Sequence, residues 1–141
     1  MHSDKFHTDG NLIAIDLWGV DFEILNQPSF LCHEARLAAE KAGMQVLAIS
    51  IVPFRPQGFS IACILGESHL TIHTSPEHGY AAIDVFTCGK GNPLMAAEYL
   101  IGMLKPKEIC VKELQRGVKP KSIKDKFQMG FQLKGVELAS R

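Results

Sequence analysis

The sequence predicts an α+β domain, a mainly antiparallel sheet with two helices packed on one face. Short runs rich in Val, Ile and aromatic residues recur along the chain, separated by Gly and Pro. Only two stretches keep the apolar spacing of an amphipathic helix. Strand, helix, a run of strands, helix and strand follow one another, which suits helices layered on one side of a hairpin-connected sheet. The 141 residues suffice for one compact domain that buries about two-thirds of its unfolded surface.

Each element has its own warrant. Residues 1 to 10 are polar and aperiodic, a loose start carrying His2 and His7. Asn11 to Trp18 is β-rich and stops at Gly19, a first strand. Asn26 or Ser29 can cap the helix that follows, with Pro28 in its first turn. Leu31, Ala35, Ala38 and Ala42 keep helical spacing there, and Gly43 stops it. Cys32 and His33 are adjacent, face different directions and read as structural. Gln45 to Pro53 is a second strand, Phe54 to Gly58 a Pro/Gly turn, and Phe59 to Leu65 a third strand. Two further strands follow, roughly 69–74 and 80–87. Pro93 to Leu104 is the second helix, ended by Pro106, and Ile109 to Leu114 a last short strand. With both helices on one face, the other face of the sheet needs cover, and a second copy of the chain is the natural one.

Fifteen basic and fifteen acidic side chains cancel, so total charge implies neither nucleic acid nor an anionic membrane. The balance is uneven. From Arg116 onward seven Lys/Arg face two Asp/Glu, against eight and thirteen before it. Only Phe127 and Phe131 are interleaved in that basic end, which reads as a solvated or partner-facing tail. The cysteines at 32, 63, 88 and 110 lack Cys-x-x-Cys spacing and read as reduced thiols. Cys63 and Cys110 are expected as small buried residues. Without a secretory signal or a long apolar run, the expectation is a soluble, cytoplasmic protein.

Chemistry concentrates in residues 66 to 89. A serine, acids, three histidines (His69, His73, His78) and Cys88 fall in one short, otherwise apolar stretch. On composition alone this is a strand, a Pro/Gly turn and a second strand with polar residues on an outer face. His69, His73, His78 and Cys88 also raise the possibility of a zinc-binding hydrolase or binding module. Ligands two apart on a strand converge better than His69 and His73, which are four apart.

Glu67-Ser68-His69, Ile72-His73-Thr74, Pro76-Glu77, Gly79-Tyr80-Ala81-Ala82 and Asp84 to Gly89 closely resemble the prokaryotic S-adenosylmethionine decarboxylase proenzymes. The resemblance is dense over 66–89 and looser back to Pro53. It implies the α/β sandwich of that family, dimerising through its sheets. It also implies self-cleavage between Glu67 and Ser68 into a β chain, 1–67, and an α chain, 68–141. Ser68 Oγ would attack the Glu67 carbonyl, and elimination and loss of ammonia would leave an N-terminal pyruvoyl group on the second chain.

That covalent pyruvoyl would be the only cofactor, with no pyridoxal phosphate and no metal. It would hold the substrate amine as an imine and accept electrons as carbon dioxide leaves. On the family's pattern His73 is the processing base and Ser60 the serine that assists processing. Cys88 returns a proton to the product, a task that suits thiols, whose ordinary pKa of about 8.5 leaves them largely protonated at neutral pH. Glu77 resembles the acid that holds the ribose hydroxyls, and Phe54 the aromatic that stacks on adenine. In the family these sites draw on both protomers of a dimer. The implied substrate is S-adenosylmethionine, and the product the aminopropyl donor for spermidine. No nucleic acid or membrane partner is implied.

Two positions depart from the family's usual pattern: Ser75 stands where an aromatic is common, and His78 where a tyrosine is. The cleavage and proton-transfer residues are intact, so pyruvoyl chemistry on arginine or ornithine is the alternative within the enzyme class. Ser68 and His73 are five apart, which on a straight strand puts them on opposite faces. A bend after Ser68 or a β-bulge would bring them together.

Overall fold

The computed structural model describes residues 8–66, 68–89 and 91–119. The polar start, Glu67 and most of the basic C-terminal end lie outside the described residues. Six strands form one sheet: β1 (Gly10–Trp18), β2 (Val46–Pro53), β3 (Phe59–Leu65), β4 (Ser68–Ser75), β5 (Tyr80–Cys88) and β6 (Glu108–Arg116). Every pairing is antiparallel and the order across the sheet is β2-β3-β4-β5-β1-β6. The hairpin-linked run β2 to β5 is thus laid down consecutively, and β1 and β6 add at the far side.

Three helices join the strands: α1 (Phe22–Leu25), α2 (Pro28–Lys41) and α3 (Pro93–Leu104). The longer two were expected. Short α1 was not, although Asp21 signals it by accepting from the Glu23 and Ile24 N–H groups at 2.8 and 3.4 Å. Pro28 stands at the first turn of α2, but its N-cap is Gln27, without a side-chain bond. Asn26 Oδ1 is used elsewhere, accepting from Gly58 N–H in the β2–β3 loop at 3.3 Å. In α3, Asn92 caps the helix by accepting from Leu94 N–H at 3.1 Å.

α2 packs over β2 and β3, and α3 over β1 and β5. Both present small residues to the sheet: Ala35, Ala38 and Ala39 from α2, Ala96 and Ala97 from α3, all buried. Small side chains let the helix axes approach the sheet, whose helix-facing residues supply the bulk. Those are Ile13, Ile15 and Leu17 from β1, Ile61 and Leu65 from β3, Leu70 and Ile72 from β4, and Ile83 and Val85 from β5. Burying each such side chain is worth about 1.5–3 kcal/mol, which makes this layer the main source of stability. Cys63 belongs to the same layer, and burial pushes its thiol up to about 11. Cys110, expected to be buried as well, is exposed, because β6 is an edge strand that neither long helix covers. No helix of the described residues is long and apolar enough to cross a membrane.

The second face of the sheet carries the alternate residues, among them Ala14, Asp16, Ala62, His69, Thr71, Ala82, Asp84 and Phe86, all half-buried. No helix covers it. Near one end Tyr80 O–H donates to Asp16 Oδ1 at 2.5 Å, joining β5 to β1. That hydrogen bond, with burial and the charges of Asp16 and Asp84, pushes the Tyr80 phenol up to about 12. Gly10 is needed at the other end. A Cβ there would lie 2.4 Å from the Thr87 carbonyl oxygen and 2.9 Å from the Phe86 ring.

Leu70→Ala, at the centre of β4 and fully buried, is expected to cost about 3 kcal/mol in urea unfolding. The Tyr80 phenol gives a second check. Its pKa is raised in the fold, so the stabilisation is complete below its ordinary value and fades as pH rises through about 12. Asp16→Asn is expected to bring its midpoint down toward the ordinary tyrosine value, read by tyrosinate absorbance. An unchanged midpoint would mean the Asp16 bond is not its cause.

Candidate active site

The residues singled out by the sequence gather at two places, one at each end of β4. The first is built by the β3–β4 connection. Leu65 pairs with Ser68, so only Gly66 and Glu67 link the two strands. Ser68 opens β4 and Cys88 closes β5. Cys88 N–H donates to Ser68 Oγ at 3.1 Å, and both side chains are half-buried. The serine hydroxyl oxygen is therefore held beside a fixed backbone donor, one residue after a tight connection. Cys88 alternates with buried Val85 and Thr87 and lies toward the uncovered face.

The second place is the β2–β3 loop and the turn after β4. Ser60 and His73 are register partners on β3 and β4, and Ser60 Oγ lies 2.6 Å from His73 Nδ1. That contact occupies one ring nitrogen and leaves Nε2 for another group. A single 3-10 turn, Pro76–His78, carries Glu77. Gln57 Nε2 donates to Glu77 Oε2 at 3.0 Å, tying the β2–β3 loop to this turn. This bond, then the turn's own backbone N–H and the neighbouring His78, hold the Glu77 carboxyl below its ordinary pKa. Phe54 lies at the head of the same loop, its N–H donating to Gly58 O at 2.8 Å, and the residue is 51% exposed. Gly79, with φ of 61°, closes the turn into β5, and its carbonyl accepts from Val20 N–H at 3.0 Å. Ser60, His73, Glu77 and Phe54 thus share one end of the sheet.

The relation between the two ends resolves the question left by the spacing of Ser68 and His73. Pairs run without a break from Ser60↔His73 to Leu65↔Ser68. There is neither a bend nor a bulge. The two residues lie on opposite faces and roughly 16 Å apart along one strand, at about 3.3 Å per residue. Within one copy of the chain, His73 does not reach Ser68.

The histidines and Cys88 considered as metal ligands are not gathered either. His69 stacks on Phe86 with ring centroids 5.6 Å apart, and the Arg116 guanidinium lies 5.0 Å from the same ring. His73 is engaged by Ser60, and exposed His78 lies 3.6 Å from Glu77 Oε1. Among the described residues no group of three His, Cys, Asp or Glu side chains is placed to hold a metal ion. Sequence reasoning passed over Trp18, Tyr80 and Asp16 as site residues. The Trp18 and Tyr80 ring centroids are 4.3 Å apart, beside the Glu77 turn. Their one legible signal was an aromatic directly before Gly19 and another directly after Gly79.

Comparison with known proteins gives the same answer at three levels. Residues 11–117 match the family model described as S-adenosylmethionine decarboxylase. An S-adenosylmethionine decarboxylase proenzyme of Brevibacillus brevis is 44% identical over 115 residues, 81% of this chain and 86% of the relative. A proenzyme of Geobacillus kaustophilus is 44% identical over 117 residues, covering 83% of this chain and 94% of its own length. The crystal structure of the adenosylmethionine decarboxylase from Aquifex aeolicus superposes with a TM-score of 0.74 at 31% identity, covering 82% of this chain and 96% of that one. With the family model, the proenzyme relatives and the solved structure in agreement, the chain belongs to the S-adenosylmethionine decarboxylase family.

Proposed function

We propose that this protein is a self-cleaving, pyruvoyl-dependent decarboxylase that converts S-adenosylmethionine to its decarboxylated form, the aminopropyl donor for spermidine. The observation that carries the reading is the placement of Ser68, first on β4 after a two-residue connection, with its Oγ against Cys88 N–H. A serine that must attack the preceding carbonyl needs a tight turn on its N-terminal side and a hydroxyl oriented by a fixed partner.

In processing, Ser68 Oγ attacks the Glu67 carbonyl carbon and the peptide C–N bond breaks, giving an ester and a free Ser68 amine. A base then removes the Ser68 α-proton and the Glu67 carboxylate leaves. Water replaces the nitrogen, which departs as ammonia, and the chain is left as 1–67 and 68–141. The pyruvoyl group so formed supplies the electron sink for loss of carbon dioxide. Cys88, at the adjoining strand end, delivers the proton that replaces the carboxylate.

His73 is the base in this reading, and its distance from Ser68 of the same copy sets the assembly. A second copy laid antiparallel on the uncovered face brings its Ser60, His73, Phe54 and Glu77 end over the Ser68 and Cys88 end of the first. Ser60 orients the His73 ring through Nδ1, and Nε2 takes the α-proton of the partner's Ser68, whose Cα stands at the open end of β4 although its side chain falls on the helix side with Leu70 and Ile72. Glu77, kept ionised by Gln57 and its turn, accepts from the ribose hydroxyls, and Phe54 stacks on adenine. Each dimer then holds two equivalent composite sites.

Denaturing intact mass of purified protein is expected to show two chains split between Glu67 and Ser68, the second lighter than a serine-started chain by one ammonia. Ser68→Ala is expected to persist at full length. A wild-type protein that also stays at full length on long incubation would overturn the reading. His73→Ala is expected to slow cleavage by about 100-fold or more, and Cys88→Ala to cleave yet lose decarboxylation by a similar factor, measured as carbon dioxide release. Co-expressing Ser68→Ala with His73→Ala chains is expected to restore cleavage of the His73→Ala chain and activity of the mixed dimer. No rescue would mean that both residues act within one copy.

A further inference from the structure

β6 is an edge strand without the usual protections. It pairs only with β1, in an unbroken register from Gly10↔Arg116 to Trp18↔Glu108, and it contains no proline. The other edge, β2, is blunted by a register shift between Val46 and Ala48 and by Pro53 at its end. Every β6 residue is exposed. On the helix side Ile109 and Val111 pair with Leu17 and Ile15, which are buried, yet are themselves 52% and 43% exposed. The apolar layer thus runs out to β6 and stops there unroofed, since neither long helix covers it. A long, regular edge with an apolar side is a template for another strand.

The described residues end at Lys119, just after β6. Gly117, with φ of 80°, takes the chain out of the strand, and its carbonyl accepts from Thr8 Oγ1 at 2.6 Å. Beyond it come Lys121, Lys124 and Lys126, and then Phe127-Gln128-Met129-Gly130-Phe131-Gln132-Leu133. Apolar residues hold every second place over 127–133, the pattern of a strand with one buried face.

We propose that residues 127–133 return antiparallel along the free edge of β6 in their own copy, as a seventh strand of the sheet. Phe127, Met129, Phe131 and Leu133 then join Ile109 and Val111 in the helix-side layer, and Gln128 and Gln132 fall on the other face. Such a strand spans about 23 Å, within the about 30 Å of β6. Residues 117–126 form the lysine-rich connection. Burial chooses the register, because a slip of one residue would turn all four apolar side chains away from Ile109 and Val111. Tethering favours this segment over a neighbouring molecule, since a short connection holds it at roughly millimolar effective concentration beside the edge. Both strands lie in 68–141, so the pairing is the same before and after cleavage and does not depend on the decarboxylase reading.

Hydrogen exchange of the full chain, read by mass spectrometry, tests the pairing. Amides of 127–133 are expected to exchange about 10-fold or more slowly than in an unstructured chain. Phe131→Asp breaks the apolar face and is expected to speed exchange in 127–133 and in β6 together by a similar factor. Free exchange across 127–133 in the unaltered chain would overturn the proposal. So would β6 protection that Phe131→Asp leaves unchanged, the result expected if a second copy's β6 or solvent alone meets this edge. Cys110 pairs with Asp16 on the side away from the helices and reports which copy supplies the strand. Gly130→Cys, Gln132→Cys and Lys134→Cys cover the neighbouring registers that keep the apolar face inward. One of the three is expected to form a disulfide with Cys110 inside a single chain under mild oxidation. A disulfide joining two chains, or none at any of the three positions, would overturn the same-copy pairing.

Discussion

β4 is hydrogen-bonded along both edges, to β3 and to β5, and its side chains alternate between a helix-covered face and an uncovered one. Leu70 and Ile72 are fully buried on the covered side. A slip of one residue would send both into the open face and drive His69, Thr71 and His73 into the helix layer, at a cost of several kcal/mol in lost burial alone. The register is therefore fixed by the core. Everything chemical follows from it: which serine meets His73, which backbone N–H meets Ser68, and how far apart the two ends lie.

The same alternation explains why polar chemistry can sit in the middle of a sheet without weakening it. One face of each central strand is apolar apart from Thr74 and Thr87 near the strand ends and does the packing, and the other is free to carry Asp16, His73, Asp84 and Tyr80. Four of the polar side chains there are paired, Tyr80 with Asp16 and Ser60 with His73. Among the described residues no buried side-chain nitrogen or oxygen is left without a hydrogen-bond partner.

Most of the fold was legible because its signals are local. Strand and helix bounds came from short-range alternation, Pro and Gly, and the strands lie within a residue or two of expectation. What escaped was non-local. Asn26 was available as a cap, but a backbone group 32 positions away claims it. Tyr80 and Asp16 are separated by 64 positions, so nothing in either neighbourhood announces their bond. Cys110 was misjudged because periodicity reveals which residues face the helices, not how far the helix layer extends. At the candidate site, Ser68, His73 and Cys88 were found through a motif. Their division between the two ends of a strand needed the register, since a motif lists residues in chain order and says nothing of reach.

Under the proposed cleavage, the two-residue link between β3 and β4 has a further consequence for the matured molecule. Cutting it frees a strand end in the centre of the sheet, with β3 on one chain and β4 on the other. The two pieces then stay together only through ladder hydrogen bonds and the shared apolar layer. Their separation becomes a dissociation, and the constraint a short connection places on the unfolded ensemble is gone. The processed protein's resistance to denaturation therefore depends on its concentration, as that of any non-covalent complex does. Cleavage trades a closed hairpin for a strand terminus that carries the reactive group, and the helix-covered core is what makes that exchange survivable.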